Sequence, residues 1–367
     1  MEEMSANLKS KKILIICPYP EGVAATQRLK YEQYFDSFRE DGFEITISPF
    51  FSIDTWNILY EKGYLLNKVS GTLRGYCRRF LDIFKLKSFD RVYVCMWVTP
   101  LFDTFFERLF LFLAPKIIYD FDDAIHAEED PSSKNSLRSF FKSKNKVNLL
   151  IQKSSHVITS SPFNLDYCLL KNQSNAATYI PCSLDEKRFF PKNYNDSKKI
   201  TIGWTGTFSS KGYLDSIRDI LELACRSLDL KLILITNFNY SIPGIDMEII
   251  QWKEESEIED LQKIDIGLYP VIPSNWALGK GGLKVLQYMA IGIPSVSTDF
   301  GTASQIVTCG SDGFLVNSSS EWIAKISLLA NDQNLRSNMG KNGREKIIEK
   351  YSVSAVSHSY LSILNKS

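Results

Sequence analysis

Three carboxylates follow directly on an apolar run in Ile117-Ile-Tyr-Asp120-Phe-Asp122-Asp123-Ala124. Like charges this close raise one another's pKa values. The cluster therefore needs an offsetting partner: a metal ion, a cation, a network of sugar hydroxyls or helix amides. Asp also favours the N-cap and first turn of a helix, so a purely structural reading stands beside the chemical one. A second cluster is cationic. In Trp276-Ala-Leu-Gly279-Lys280-Gly281-Gly282-Leu283-Lys284-Val-Leu-Gln287-Tyr-Met-Ala290, glycines precede a helix whose first turn carries Lys284. Free amides, the positive end of a helix dipole and two ammonium groups together suit a diphosphate. Gln287 lies at i+3 from Lys284, on the same face, where it can reach a ribose hydroxyl.

A third motif is Ile202-Gly203-Trp204-Thr205-Gly206-Thr207, followed by Lys211-Gly212. Gly206, directly after a strand, lets the backbone approach a ligand closely. The amides from Thr207 onward then face a phosphate, and Lys211 adds a mobile charge. A tight turn without a ligand is the plainer alternative. Near the start, Pro18-Tyr19-Pro20-Glu21-Gly22 leads into a helix that carries Arg28. Either it is an ordinary strand-to-helix turn, or Gly22 and Arg28 lie on the acceptor side of a substrate. Tyr31, Tyr34, Phe35 and Phe38 give that helix an apolar face.

These motifs need elements to hold them. Apolar runs recur at Ile13–Cys17, Phe43–Ile47, Val92–Met96, Ile117–Tyr119 and Val157–Ser160, then at Ile200–Trp204, Leu230–Thr236, Met247–Trp252, Ile264–Tyr269, Pro294–Thr298 and Phe314–Val316. Short buried strands alternating with helix-length segments make parallel α/β sheets. The pattern restarts after the polar stretch at 191–199. The expectation is two Rossmann-like parallel-sheet domains facing across a cleft: an N-terminal domain over 1–190, a linker over 191–199 and a C-terminal domain over 200–350. A final helix within 351–367 packs back on the first domain. Ligands of such sheets bind beyond the carboxyl ends of the strands.

Composition narrows the class. Lys+Arg total 43 and Asp+Glu 42 in 367 residues, a net charge of +1, which argues against a nucleic-acid binder. The seven cysteines are unevenly spaced and include no Cys-x-x-Cys, as expected of free thiols in a reducing compartment. His126, His156 and His358 cannot form a zinc cluster by local spacing. No apolar run reaches the roughly 18 residues of a membrane span, and the first twelve residues read as no signal core. The expected location is cytoplasmic, at the inner face of a membrane. Two stretches supply a basic surface for anionic lipid or a diphosphate-linked acceptor. One carries Arg74, Arg78, Arg79, Lys85 and Lys87; the other carries Lys134, Arg138, Lys142, Lys144, Lys146 and Lys153. Solvated helix faces are the plainer reading of both.

Lys280 to Thr298 resembles the nucleotide-sugar site of glycosyltransferase family 4. Tyr179-Ile-Pro-Cys-Ser-Leu-Asp185-Glu-Lys-Arg-Phe189 looks like that family's hinge-side "IPNGVD…F" motif. Gly203–Thr207, Gly301-Thr-Ala-Ser-Gln305-Ile-Val and Gly310-Ser-Asp-Gly313-Phe314 are similar to its other turns. The resemblance covers most of residues 115–350. It implies a two-domain GT-B fold and a retaining glycosyltransferase acting with a nucleotide-diphosphate sugar, of the type that builds surface polysaccharide. The donor diphosphate falls to Gly206, Thr207, Lys211, Lys280, Gly281, Gly282 and Lys284. Gln287 and Trp252 take the ribose and base. The family's paired glutamates are replaced here by Gly279 and Gln287. Where many members carry a histidine, this chain has Asp120, Asp122 and Asp123, which become the catalytic candidates. The cations make a metal unnecessary, no resident cofactor is expected, and the acceptor is a saccharide or lipid-linked saccharide. Three alternatives stand, the weakest being a sugar-nucleotide epimerase, a class that can share this fold. Asp120-Phe121-Asp122 also matches the Asp-x-Asp of metal-dependent glycosyltransferases, and loss of both glutamates fits a catalytically silent sugar-nucleotide binding protein.

Overall fold

The computed structural model describes residues 11–101, 104–124, 126, 144–192 and 199–366. Lys134, Arg138 and Lys142 of the second basic stretch, and most of the polar stretch at 191–199, lie outside them.

Two compact units account for the chain. The first holds the residues up to His126, those from 144 to Pro181 and the stretch from Ser357 onward; the second runs from Cys182 to Val356. The division thus falls before the polar stretch read as a linker. Residues 182–192 belong to the second unit, where Lys192 Nζ pairs with Asp265 at 2.5 Å.

In the first unit, β1 (Lys11–Cys17), β2 (Phe43–Pro49), β3 (Arg91–Cys95), β4 (Ile117–Phe121), β5 (His156–Thr159) and β6 (Ala177–Tyr179) form one parallel sheet in the order β2-β1-β3-β4-β5-β6. In the second, β7 (Thr201–Gly206), β8 (Lys231–Thr236), β9 (Met247–Gln251), β10 (Ile266–Tyr269), β11 (Ser295–Thr298) and β12 (Gly313–Val316) form another, in the order β12-β11-β10-β7-β8-β9. Runs such as Ile13-Leu-Ile-Ile16 are buried on both faces, as central parallel strands covered by helices must be. Every expected strand forms, and only β6 was not anticipated. The strand order reverses between β1 and β3 and again between β7 and β10. Both reversals are topological switch points, where ligands of such sheets bind.

Three local features differ from the sequence reading. The stretch carrying Tyr31, Tyr34, Phe35 and Phe38 buries all four rings but is broken into a helix Ala25–Arg28, a 3-10 turn Glu32–Tyr34 and a helix Phe35–Glu40. The break frees Lys30 to point inward. Arg79 and Lys146 are not surface cations. Arg79 is fully buried and donates to Val98 O (2.8 Å), Cys17 O (2.9 Å), Ser48 Oγ (2.9 Å) and Asp82 Oδ2 (3.1 Å), tying strand ends together. Lys146 Nζ donates to Thr99 O (2.7 Å) and Leu101 O (2.8 Å) and faces Glu107 at 3.6 Å.

Arg79 sits on the helix Leu65–Lys85. Its inner face also carries Gly71 and Gly75, where a Cβ would come within 2.3 Å of Thr55 Oγ1 and 2.6 Å of the Phe50 ring. Those glycines let the helix lie close to the sheet. The helix Val353–Lys366 supplies the last part of the first unit: Tyr360 packs on Tyr34 at 4.5 Å and Phe38 at 6.1 Å, and Lys11 Nζ donates to Asn365 Oδ1 at 2.6 Å.

Candidate functional site

In the second unit the glycine turn after β7 and the glycine-lysine corner after β10 flank the same switch point. Trp204, near the end of β7, is buried. A Cβ on Gly206 would lie 2.3 Å from Trp204 Cη2 and 2.7 Å from Ser210 Oγ, so only glycine lets the chain fold over the indole. The turn continues through exposed Thr207, whose carbonyl accepts from Ser210 N at 2.9 Å; Phe208 N donates to Asn237 Oδ1 at 2.8 Å. Lys211 then opens the short helix Lys211–Asp215.

On the other side, Ser274 caps the helix Asn275–Leu278 by accepting from Ala277 N at 3.1 Å. Lys280, Gly281 and Gly282 follow. Thr302 Oγ1 donates to Lys280 O at 2.6 Å and fixes the loop. Gly282 is the residue preceding the helix Leu283–Ala290 and has φ +70°, a left-handed conformation that costs other residues energy. In its first turn Val285 N donates to Gly282 O at 3.0 Å.

Each of the three lysines lies over an aromatic ring. Lys284 Nζ lies 5.8 Å from the Trp204 ring centroid, Lys280 Nζ 5.3 Å from Tyr213 and Lys211 Nζ 5.3 Å from Tyr240. All three side chains are half-buried. Lys211 also pairs with Asp215 at 2.7 Å. Ring faces attract ammonium groups without neutralising them.

Gln287 and Trp252 meet on a residue the sequence reading missed. Gln287, buried, donates from Nε2 to Glu257 Oε1 at 3.1 Å, and Trp252 Nε1 donates to the same oxygen at 3.4 Å. Arg188 Nη2 lies 3.6 Å from Glu257 Oε2. Glu257 belongs to the acidic run Glu254-Glu-Ser-Glu257, which reads as a solvated face, and no sequence signal singles it out.

The catalytic and acceptor-side candidates belong to the first unit. Asp120 is fully buried at the end of β4, and Asp122 and Asp123 are half-buried beyond it. The partner that the cluster requires is Lys30, also missed from sequence: its Nζ lies 2.5 Å from both Asp120 Oδ1 and Asp122 Oδ1. The one available signal was a lysine between two apolar residues, Leu29 and Tyr31. Tyr93 Oη donates to the other oxygen of Asp120. Burial pushes the Asp120 carboxyl up to about 6 against the pull of Lys30. Burial opposes the Lys30 charge, yet the two carboxylates hold its pKa above the ordinary value. Asn164 Nδ2 donates to Asp122 O at 2.6 Å and fixes the loop. Among the described residues, no group of three or more His, Cys, Asp or Glu side chains is placed to hold a metal ion. Gly22, with φ +81°, donates its amide to Glu32 Oε2 at 2.9 Å, and Arg28 is half-buried at the end of its short helix.

Residues 244–346, which include the Lys280–Gln287 corner, match the family model described as glycosyl transferases group 1. No curated protein sequence matches the chain. Solved structures share its fold along nearly the whole length. A glycosyltransferase from Rickettsia africae superposes with a TM-score of 0.68 at 14% identity, over 98% of each chain. Anabaena Alr3699/HepE, solved with UDP-glucose, gives 0.66 at 14% identity, over 97% of this chain and 100% of that one. The sucrose-phosphate synthase of Thermosynechococcus elongatus gives 0.65 at 13%, over 97% and 98%. The fold is therefore the two-domain α/β GT-B class.

Proposed function

We propose that the protein is a glycosyltransferase that moves a sugar from a nucleotide-diphosphate sugar to a saccharide or lipid-linked saccharide acceptor in the synthesis of surface polysaccharide, with retention at the anomeric carbon. The observation that carries the reading is the convergence of Lys280, Lys284 and the Gly206 turn at the switch point of the second sheet, within or beside the group 1 domain. When the glycosidic bond breaks, negative charge develops on the leaving nucleotide diphosphate. Lys280, Lys284 and Lys211, with the amides near Gly206, Gly281 and Gly282, stabilise it. Fixed donors aimed at developing charge often supply the largest catalytic term. Gln287 and Trp252, set by Glu257, hold the ribose and base. Neither a metal nor a resident cofactor is needed for this step.

In the first unit, half-buried Asp122 and Asp123 are the carboxylates placed to meet an acceptor, while Asp120 acts through Lys30 as a positioning residue. A metal at Asp120 and Asp122 would have to displace an ammonium already 2.5 Å from both, which favours the metal-independent reading.

Calorimetry with a panel of nucleotide diphosphates, UDP first because the Anabaena structure holds UDP-glucose, tests the site. Lys284→Ala should weaken binding roughly 10- to 150-fold, since a charge-assisted contact is worth about 1.5–3 kcal/mol. Affinity retained within about twofold would remove Lys284 from the site. Binding without turnover over an acceptor panel would replace the transferase with a sugar-nucleotide binding protein.

A further inference from the structure

The helix Leu65–Lys85 is built inside out. Gly71, Gly75, Arg79 and Asp82 share its buried face. Leu66, Val69, Leu73, Phe80 and Phe84 recur at helical spacing on the opposite face, with Leu81 beside them, and all are exposed. Leu66 is 83% exposed and Phe84 72%. Placing an ion pair inside and an apolar stripe in water reverses the arrangement that burial favours in a soluble helix. A contiguous apolar patch of this kind marks a surface that another phase or molecule covers.

The accessible charges carried by the helix itself have one sign. The accessible charged side chains of the helix are Lys68, Arg74, Arg78 and Lys85, all cationic, and Lys87 follows one residue beyond Leu86. Its single acid, Asp82, is buried against Arg79 at 3.1 Å. Along the chain the nearest acidic side chains lie beyond the ends, at Glu61 and Asp90, and Asp54 is exposed on the helix Ile53–Leu59, whose Thr55 packs against Gly71. Lys68 and Arg78 are partly engaged by the carbonyls of Glu61 and Pro49. Arg74 and Lys85 lie along one border of the stripe by helical geometry. Packing against a second copy through the same spacing would call for charges of both signs along the flanks. No helix among the described residues is long and apolar enough to cross a membrane, so an apolar face on this helix belongs at an interface and not in a span.

We infer that this face docks on the surface of an anionic lipid bilayer. The helix lies in the membrane plane, with Leu66, Leu73, Phe80 and Phe84 entering the acyl boundary and Arg74, Lys85 and Lys87 meeting headgroup phosphates. The inference is independent of the sugar-transfer reading: it uses no residue of either candidate cluster.

Co-sedimentation of the full chain with phosphatidylcholine vesicles, with and without one part in three of phosphatidylglycerol, tests it. Partition into the anionic vesicles is expected, with salt weakening it. Phe80→Ser/Phe84→Ser should weaken it by about tenfold or more. Arg74→Gln and Lys85→Gln should each weaken it about fivefold. Unchanged circular-dichroism melts of these exposed-site variants confirm folding. The inference is overturned if the chain does not sediment with anionic vesicles, or if the phenylalanine variant sediments as wild type does. A dimer in sedimentation velocity that Leu73→Glu dissociates, without vesicle binding, assigns the face to a second copy and also overturns it.

Discussion

Lys30 holds together two carboxylates that would otherwise repel. It is 7% exposed and Asp120 is fully buried, so removing the ammonium leaves an uncompensated interior charge. Lys30→Met should cost about 3–5 kcal/mol in urea unfolding; a loss below about 1 kcal/mol would show that the triad is not a buried ion cluster. Asp120 also leaves a mark on pH dependence. Its folded-state pKa is raised from 3.8 to about 6, chiefly by burial. Between those values the folded chain binds more protons than the unfolded one. The Asp120 contribution to stability therefore falls as pH rises from about 4 to about 6 and is flat above. Asp120→Asn should flatten that part of a melting-temperature profile; identical slopes in the two proteins would contradict the assignment. The sequence showed that the aspartates needed a partner but not which one. Lys30 lies ninety residues from Asp120 along the chain, and only the folded sheet makes them neighbours.

Elements set the proposed donor corner. Trp204 is both the floor under Lys284 and the ring that a Cβ on Gly206 would strike at 2.3 Å. Gly206→Ala must shift a rigid indole, so it should weaken nucleotide-diphosphate binding by more than it lowers stability. Calorimetry and denaturant unfolding on the same sample separate the two, and equal losses would detach the turn from the ligand. Much at this scale was legible: strands announced themselves as short apolar runs, and glycines beside lysines marked the corner after β10. The edge strand β6 has three half-buried residues, too few for a pattern. The inward turn of Arg79 was hidden because its neighbours Arg78 and Phe80 read as part of one basic, aromatic face. Glu257 was hidden within an acidic run for the same reason, since composition does not say which side of a helix is covered.

At the scale of the molecule, the donor candidates all lie in the unit from Cys182 to Val356. Nucleotide diphosphate at about 100 times its dissociation constant should add about 2.7 kcal/mol to that unit. Hydrogen exchange should slow in β7 and β10 and stay unchanged in β1 and β2 if binding needs the second unit alone. Residues 357–366 complete the other unit, where Tyr360 and Leu364 are buried. Deleting them should raise exchange in β1 and β2 while sparing β7. Protection of β1 unchanged by the deletion would show that the helix only decorates its unit. The same arrangement sets an order of events on the ribosome. Domains usually fold as they emerge, earliest first, but here the first sheet to leave the exit tunnel lacks its final helix until residue 366 has been added. The later-made sheet has all its parts sooner, so the half that is translated first is the half that must wait.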